Sequence, residues 1–445
     1  MLLVEKLTID ALGPYNHFLL PNEILCHIFV LAVEDCGPVA FPMGKKRPPL
    51  QLTISHVCSH WRKVALRTSE LWSTTRLTCS KLTNCKLERV ISLHQQWLMR
   101  ARRIPVSLSI DFKEYEGSDG NEITNTLQRI LLPFQVKKLH LAVTQKKFME
   151  LSSFPENMVS DLTELSLDLT IRDDDIASIS DSHPFIPRLR SVAFRCDGLL
   201  DTWLDGNFQS FPWSRLRALE FDDVGVENLN AASIKILHQI PTLHMLKLRV
   251  CDCHADSLED LTMPSLRDFN LKVNGRDGPE LDRILASFTC PSLTKFTLHT
   301  SHDWTAGTFG ILKHRYNMLG LQEMALYCNA KLPVSSVLQN APFLRSISIG
   351  RNFTFDDKAI IGISNAELAR FLKRLEIRCT CDGGEMLGMV KARKETVDGL
   401  IKNGCSWRDE PTILKDIVLH CKARKVHKKQ INLLKKAGIS VIFRG

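Results

Sequence analysis

"LRDFNLKV", Leu266–Val273, sets apolar residues at alternate positions behind a leading leucine, the period of a strand with one buried face. The phrase returns as "VKKLHLAV", "LTELSLDL", "LRSVAFRC", "LRALEFDD", "LHMLKLRV", "LTKFTLHT", "LQEMALYC", "LRSISIGR", "LKRLEIRC" and "LKDIVLHC", and in shorter form in "GISVIFRG". Its fourth residues are Leu139, Leu165, Val192, Leu219, Leu246, Phe269, Phe296, Met324, Ile347, Leu375, Ile417 and Val441. They lie 23 to 28 residues apart, except for one interval of 42 before Ile417. One such strand cannot bury its apolar face alone, but a strand returning at a fixed period can stack on its copies.

Helical patterns separate the strands. "PELDRILASF" puts Leu281, Ile284, Leu285 and Phe288 on one face, and "SNAELARFL" gives Ser364 and Glu367 the spacing of a capping box. Pro187, Pro241, Pro264, Pro291 and Pro342 each stand two residues before a leading leucine, where they stop a helix without removing a central ladder donor. The period is that of leucine-rich repeats, and the Asn or Cys such repeats carry after the strand is present as Cys251, Asn274, Asn329 and Asn352. Elsewhere Thr170, Asp197 or Val224 holds that place, so the array is irregular. The expectation is an α/β fold in which residues 106–445 form an irregular leucine-rich repeat solenoid, with a parallel sheet on the concave face and helices on the convex face. The long interval before Ile417 is expected to hold an inserted loop or an extra helix.

With 445 residues, 44% of them hydrophobic and 24% charged, the chain can build cores throughout, which excludes global disorder. No long uncharged apolar window suggests a membrane span, and "MLLVEKLTIDALG" lacks the basic start of a secretory signal. The 14 cysteines are scattered and read as reduced core thiols, which places the protein in the cytoplasm, the nucleus or both. The net charge of +9 is concentrated in "KARKVHKKQINLLKK", residues 422–436, with seven Lys or Arg and no acid. A solvated helix face is the expectation there, with nuclear import and nucleic-acid contact as the alternatives.

After a short extension, residues 1–17, the chain reads "LPNEILCHIFVLA", Leu20–Ala32. Ile24, Leu25, Ile28, Phe29 and Ala32 recur at helical spacing, Pro21 suits a first turn, and Glu23 complements the helix dipole. The proline-rich insertion at 34–50, "EDCGPVAFPMGKKRPP" within it, reads as an irregular loop. Then "LTISHVCSHWRKVALRTSELWS" places Ile54, Val57, Cys58, Trp61, Val64 and Ala65 on one helix face. So small a helical module is marginal alone and is expected to dock onto something.

"LPNEILCHIF", "ISHVCSHWRKVAL" and "SELWS" together resemble the F-box, whose pattern runs Leu-Pro-x-Glu-Ile-Leu, then Val-Cys-x-x-Trp-Arg, then Leu-Trp. The resemblance covers residues 18–75, and "VISLHQQWLMRARRIPVSLSI" is similar to the helical linker, here 76–105, of a large fungal group of F-box proteins with divergent leucine-rich repeats. The resemblance implies the substrate-receptor subunit of an SCF-type cullin-RING ubiquitin ligase, joined to a cullin through a Skp-family adaptor and without catalytic residues of its own. By position it implies adaptor contacts from Leu20, Pro21, Ile24, Leu25, Ile28 and Phe29, with Val57, Cys58, Trp61, Leu71 and Trp72 supporting or extending that surface. The alternative is a repeat scaffold that uses the F-box fold without a ligase; an enzyme is the remoter option.

A target protein is expected on the strand face, where the seventh residue of each phrase points outward. These residues are Ala142, Asp168, Arg195, Asp222, Arg249, Lys272, His299, Tyr327, Gly350, Arg378 and His420, with four Arg or Lys against two Asp. Arg195, Arg249, Lys272, His299, Tyr327 and Arg378 are the candidate target contacts, with an acidic or phosphorylated segment as the expected partner. Cys251, Cys253 and His254, and likewise Cys379 and Cys381, lack zinc spacing and fit a small-residue slot at strand ends. No metal, cofactor or catalytic group is expected, and "DDD" at 173–175 reads as a solvated turn.

Overall fold

Each repeated phrase is a strand, and from Val192 onward neighbouring phrases pair in parallel with their fourth residues opposite one another. In the computed structural model Val192 stands against Leu219, Leu219 against Leu246, and Phe269 between Leu246 and Phe296. The row continues through Met324, Ile347, Leu375 and Ile417 to Val441. The structure describes residues 20–43, 48–79, 82, 84–114, 120–144, 148, 160–170, 188–196, 213–223, 236–251, 260–274, 279–330, 332–350, 353–378, 382–402, 411–420 and 428–443. The 1–17 extension, the Asp run at 173–175, Cys253, His254, Asn352, Cys379, Cys381 and residues 422–427 of the basic segment lie outside them.

The chain divides into two compact units between Asp168 and Leu169. Leaving short 3-10 turns aside, the first contains α1 (Asn22–Glu34), β1 (Val39–Phe41), α2 (Leu50–Ser55), α3 (Ser59–Arg67), β2 (Thr74–Thr78), α4 (Asn84–Leu98), β3 (Val106–Asp111), α5 (Gly120–Leu131), β4 (Val136–Thr144) and β5 (Glu164–Thr170), whose end crosses the boundary. Strands β1 to β5 follow chain order in the sheet.

The second unit contains β6 (Ser191–Cys196), β7 (Ala218–Asp223), β8 (Met245–Cys251), β9 (Leu261–Thr262), β10 (Asp268–Asn274), α6 (Pro279–Ser287), β11 (Phe288–Thr289), β12 (Lys295–Trp304), α7 (Ala306–Arg315), β13 (Glu323–Ala330), α8 (Val334–Asn340), β14 (Ser346–Ile349), α9 (Asp357–Ser364), β15 (Arg374–Ile377), α10 (Gly383–Lys402), β16 (Asp416–Leu419), α11 (Lys428–Lys436) and β17 (Ser440–Phe443). Its main sheet also follows chain order, while β9 and β11 pair with each other. The first, fourth and sixth residues of each phrase turn inward. Leu266, Phe269 and Leu271 are buried with Leu293, Phe296 and Leu298 of the next strand. Leu281, Ile284 and Leu285 of α6 close over them, and the Phe269, Phe296 and Tyr316 rings pack with centroids 5.7 to 6.3 Å apart. The long interval before Ile417 is occupied by the extra helix α10.

Four expectations change. The proline-rich insertion is not wholly irregular: Val39–Phe41 form β1, which pairs with β2, because Phe41 finds a buried seat against His94 and Trp97 of α4. The residues expected on one helix face, Ile54 to Ala65, are split between α2 and α3; the chain turns at His56–Cys58, and the Cys58 Sγ caps α3 by accepting the Trp61 N–H at 3.4 Å. Ser364 ends α9 rather than starting a helix, and its hydroxyl donates back to the Ile360 carbonyl. The ladder begins at β1, well before residue 106, where the first repeat strand was expected.

The segment after α9 is held from outside. Ala366 and Ala369 both take positive φ, 61° and 48°, which costs a side-chain-bearing residue on the order of 1–2 kcal/mol each. Arg393 of α10, fully buried, donates to the carbonyls of Ile363, Ala369, Arg370 and Thr412 at 2.7 to 3.1 Å. Burial pushes its guanidinium down to about 10, still charged at neutral pH. The extra helix thus supplies the donors that an irregular loop lacks.

Two predictions follow from this packing. Arg393→Met leaves four carbonyls without their donor and is expected to cost about 3 kcal/mol or more, read as a shift of the chemical-denaturation midpoint. His94 is buried against Thr75 Oγ1 at 2.8 Å, and burial lowers its pKa from 6.5 to about 4. The unfolded chain therefore takes up this proton first, so the stability is complete above pH 6.5 and falls as pH drops toward 4, by about 3 kcal/mol in full. His94→Gln should flatten the dependence of melting temperature on pH across that window; an unchanged slope would remove His94 as its source.

Candidate functional site

Helix α1 carries apolar residues on two adjoining lines, and the fold uses only one of them. Leu25 and Phe29 point inward; the Phe29 ring meets Trp61 of α3 at 5.0 Å, and both residues are at most 2% exposed. Next to this line, the Thr68 hydroxyl lies 3.0 Å from Cys26 Sγ and 2.9 Å from the Val64 carbonyl, bridging α1 and α3. Trp72 closes the base: its Nε1 donates to the Ala65 carbonyl at 2.9 Å, and its ring meets Trp97 at 4.7 Å under the guanidinium of Arg100. These contacts fix the rotation of α1.

The other line is left in solvent. Leu20, Ile24, Ile28 and Leu31 are 46 to 50% exposed, spaced four, four and three residues apart, so they share one helix face. Val57 at the turn between α2 and α3 and Leu66 on α3 are exposed as well. The acid Glu23 sits in the first turn of α1, and the Ile24 and Leu25 N–H groups both reach the Pro21 carbonyl. Aliphatic side chains repeated along one face of a packed helix have the make-up of an interface core.

Of the residues expected to meet an adaptor, Leu20, Pro21, Ile24, Ile28 and Val57 are exposed, and Cys58 and Trp61 are half-buried. Leu25, Phe29, Leu71 and Trp72 are core residues, placed there by their packing. Leu31 belongs to the exposed line and escaped the sequence reading, although its spacing from Ile28 was the available signal.

The second candidate is the outward strand face of the second unit. Seventh-position residues do stand side by side: Arg249, Lys272, His299 and Tyr327 are adjacent across β8, β10, β12 and β13. Their charge is not what the list of bases suggests. Asp222 takes both Arg195 and Arg249 at 3.0 Å, and Glu376 takes Arg378 at 2.9 Å and His420 at 3.3 Å. Burial alone would raise both carboxyls, but these hydrogen bonds outweigh it and hold them below the usual range. Among the described residues only Lys272 of the four expected Arg and Lys contacts stands outside an ion pair. It flanks a cleft of about 320 Å³ with Asp222, Lys247, Arg249, Asn270 and His299.

Beside the cleft the Tyr327 ring is stacked on His299 at 4.4 Å and covered by the Arg378 guanidinium at 4.5 Å. Arg378 reaches across β14 because the seventh residue there is Gly350, where an added Cβ would meet the Leu326 carbonyl at 3.0 Å. Burial, then the neighbouring Lys272 and Arg378, hold His299 below its ordinary pKa and keep it neutral. Among the described residues no cluster of three or more His, Cys, Asp or Glu could hold a metal, and no helix is long and apolar enough to cross a membrane.

The division of α1 can be tested by stability alone. Ile28→Ser should stay within about 0.5 kcal/mol of the parent, whereas Phe29→Ala should lose about 3–5 kcal/mol, both read by denaturant titration. Equal effects would show that the helix is not rotated as described.

A family model described as F-box-like matches residues 18–78, so the chain carries an F-box-like domain that spans α1 to β2. No curated protein matches the chain.

Proposed function

We propose that the chain is the substrate-recognition subunit of an SCF-type cullin-RING ubiquitin ligase. Its F-box-like domain docks a Skp-family adaptor, and through it a cullin, while an irregular leucine-rich repeat solenoid holds a target protein on its strand face. The observation that carries this reading is the exposed line Leu20, Ile24, Ile28 and Leu31 inside the F-box-like match. Each of these side chains gains on the order of 25 cal/mol per Å² of apolar surface covered, and the helix that presents them is already anchored by Leu25 and Phe29. Little ordering cost is left for the docking step.

In this role the chain performs no covalent step; it holds the target near the ligase's catalytic machinery, in the cytoplasm, the nucleus or both. The target meets the face around Lys272, His299 and Tyr327. With Arg195, Arg249 and Arg378 already paired, an acidic or phosphorylated segment there depends mainly on Lys272.

The test is capture of a purified Skp-family adaptor by the full chain. Ile24→Asp and Ile28→Asp should weaken capture about thirtyfold, the scale of an interface hot spot, with the melting temperature unchanged. Capture indifferent to both variants, or never observed with the parent chain, would leave a repeat scaffold without a ligase.

A further inference from the structure

The turn entering each strand presents a residue just before the leading leucine. That slot is polar in every earlier phrase, from Gln135 to Ser292. It then changes to Gly320, Phe343, Phe371 and Ile413 in the phrases of β13 to β16. Phe343 is 51% exposed and Leu319, beside Gly320, is 65% exposed. The Phe343 and Phe371 rings stack at 5.6 Å with 15° between their planes, and with Leu319 they line a groove of about 290 Å³. Nothing in the core calls for aromatic residues here, because the leucines behind them, Leu321, Leu344 and Leu372, are already fully buried.

A second row runs beside the first. The residue after each leading leucine is Gln322, Arg345, Lys373 and Lys415, and their backbones are bonded in sequence: the Arg345 N–H to the Gln322 carbonyl, Lys373 to Arg345 and Lys415 to Lys373, at 2.7 to 2.8 Å. All three cations are exposed, and none forms an ion pair among the described residues. An apolar row and a basic row therefore lie side by side over the same phrases.

We propose that this strip is a docking site for an acidic amphipathic helix of a partner protein. Its apolar side chains seat on Leu319, Phe343 and Phe371, and its carboxylates meet Arg345, Lys373 and Lys415. Neighbouring strands are about 4.7–4.9 Å apart, close to the 5–6 Å between residues three or four apart on a helix, so a helix crossing the strand ends meets one phrase per turn. The unpaired cations select an acidic partner. A second copy of this chain presenting α11 would bring Lys428, Lys429, Lys435 and Lys436 against the same cations and be repelled.

Selection of random displayed peptides on the full chain, with counter-selection on Phe343→Ser, tests the assignment. The expected result is a set of net acidic peptides with Phe, Leu or Ile at helical spacing. Their affinity should fall about thirtyfold on Phe343→Ser or Phe371→Ser, and several-fold on Arg345→Glu or in high salt. Phe343→Ser should keep the parent melting temperature and its adaptor capture, so that a failure here is distinct from unfolding and from failure of the ligase reading. No peptide dependent on Phe343, a neutral or basic set, or a parent chain that self-associates until Phe343 is replaced would each overturn the proposal.

Discussion

Parallel pairing at fixed register is the constraint from which the surfaces of the second unit follow. A strand within a parallel sheet can satisfy its backbone N–H and C=O groups only through the phrases before and after it, here mostly 23 to 28 residues away in sequence. A slip of one residue would turn Leu246, Phe269 and Phe296 into solvent together, so the register is enforced by every phrase at once. With it fixed, the fifth and seventh residues face outward in rows about one strand spacing apart. That is why Arg249, Lys272, His299 and Tyr327 become neighbours, and why a single glycine, Gly350, lets Arg378 reach over the adjacent strand to the Tyr327 ring.

The strands were legible because two periods reinforce each other, alternation within a phrase and the return of the phrase. All twelve fourth residues read from the pattern lie in strands. β1 has neither signal: three residues bounded by prolines show no alternation, and what makes Phe41 a core residue is His94 and Trp97 on a helix some fifty positions later. The two lines of α1 pose the same problem at finer scale. Spacing identified Ile24, Leu25, Ile28 and Phe29 as one broad apolar stripe, but which half is buried depends on Trp61 and Thr68 from α3 and the turn after it. Local pattern finds an amphipathic helix; its rotation is set by residues distant in sequence.

Charge was the least legible property. A list of seventh-position residues shows an excess of bases, yet pairing is decided across strands. Asp222 stands between Arg195 and Arg249 in the row, and Glu376, a fifth-position residue, shares its strand's outward side with Arg378. Both carboxylates are partly shielded from water, and the cations hold them ionised despite that burial. Among the described residues the face is therefore closer to a neutral network with Lys272 outside it than to a basic surface, and its recognition chemistry rests as much on the His299, Tyr327 and Arg378 stack as on charge.

The same constraint marks where function can be written into such a chain. First, fourth and sixth residues are committed to the core, and changing one disturbs its neighbours on both sides. The turn slot and the second residue carry no such duty, so their composition is free to drift independently from phrase to phrase. The second position is basic in several earlier phrases, as Lys137, Arg190, Arg217 and Arg267, and is so again as Arg345, Lys373 and Lys415 in the phrases of β14 to β16; what changes there is the turn slot beside it, which becomes Phe343, Phe371 and Ile413. Packing does not demand this change, and solubility opposes it. An apolar row that arises beside a row of exposed cations is what a binding surface for an acidic amphipathic partner requires.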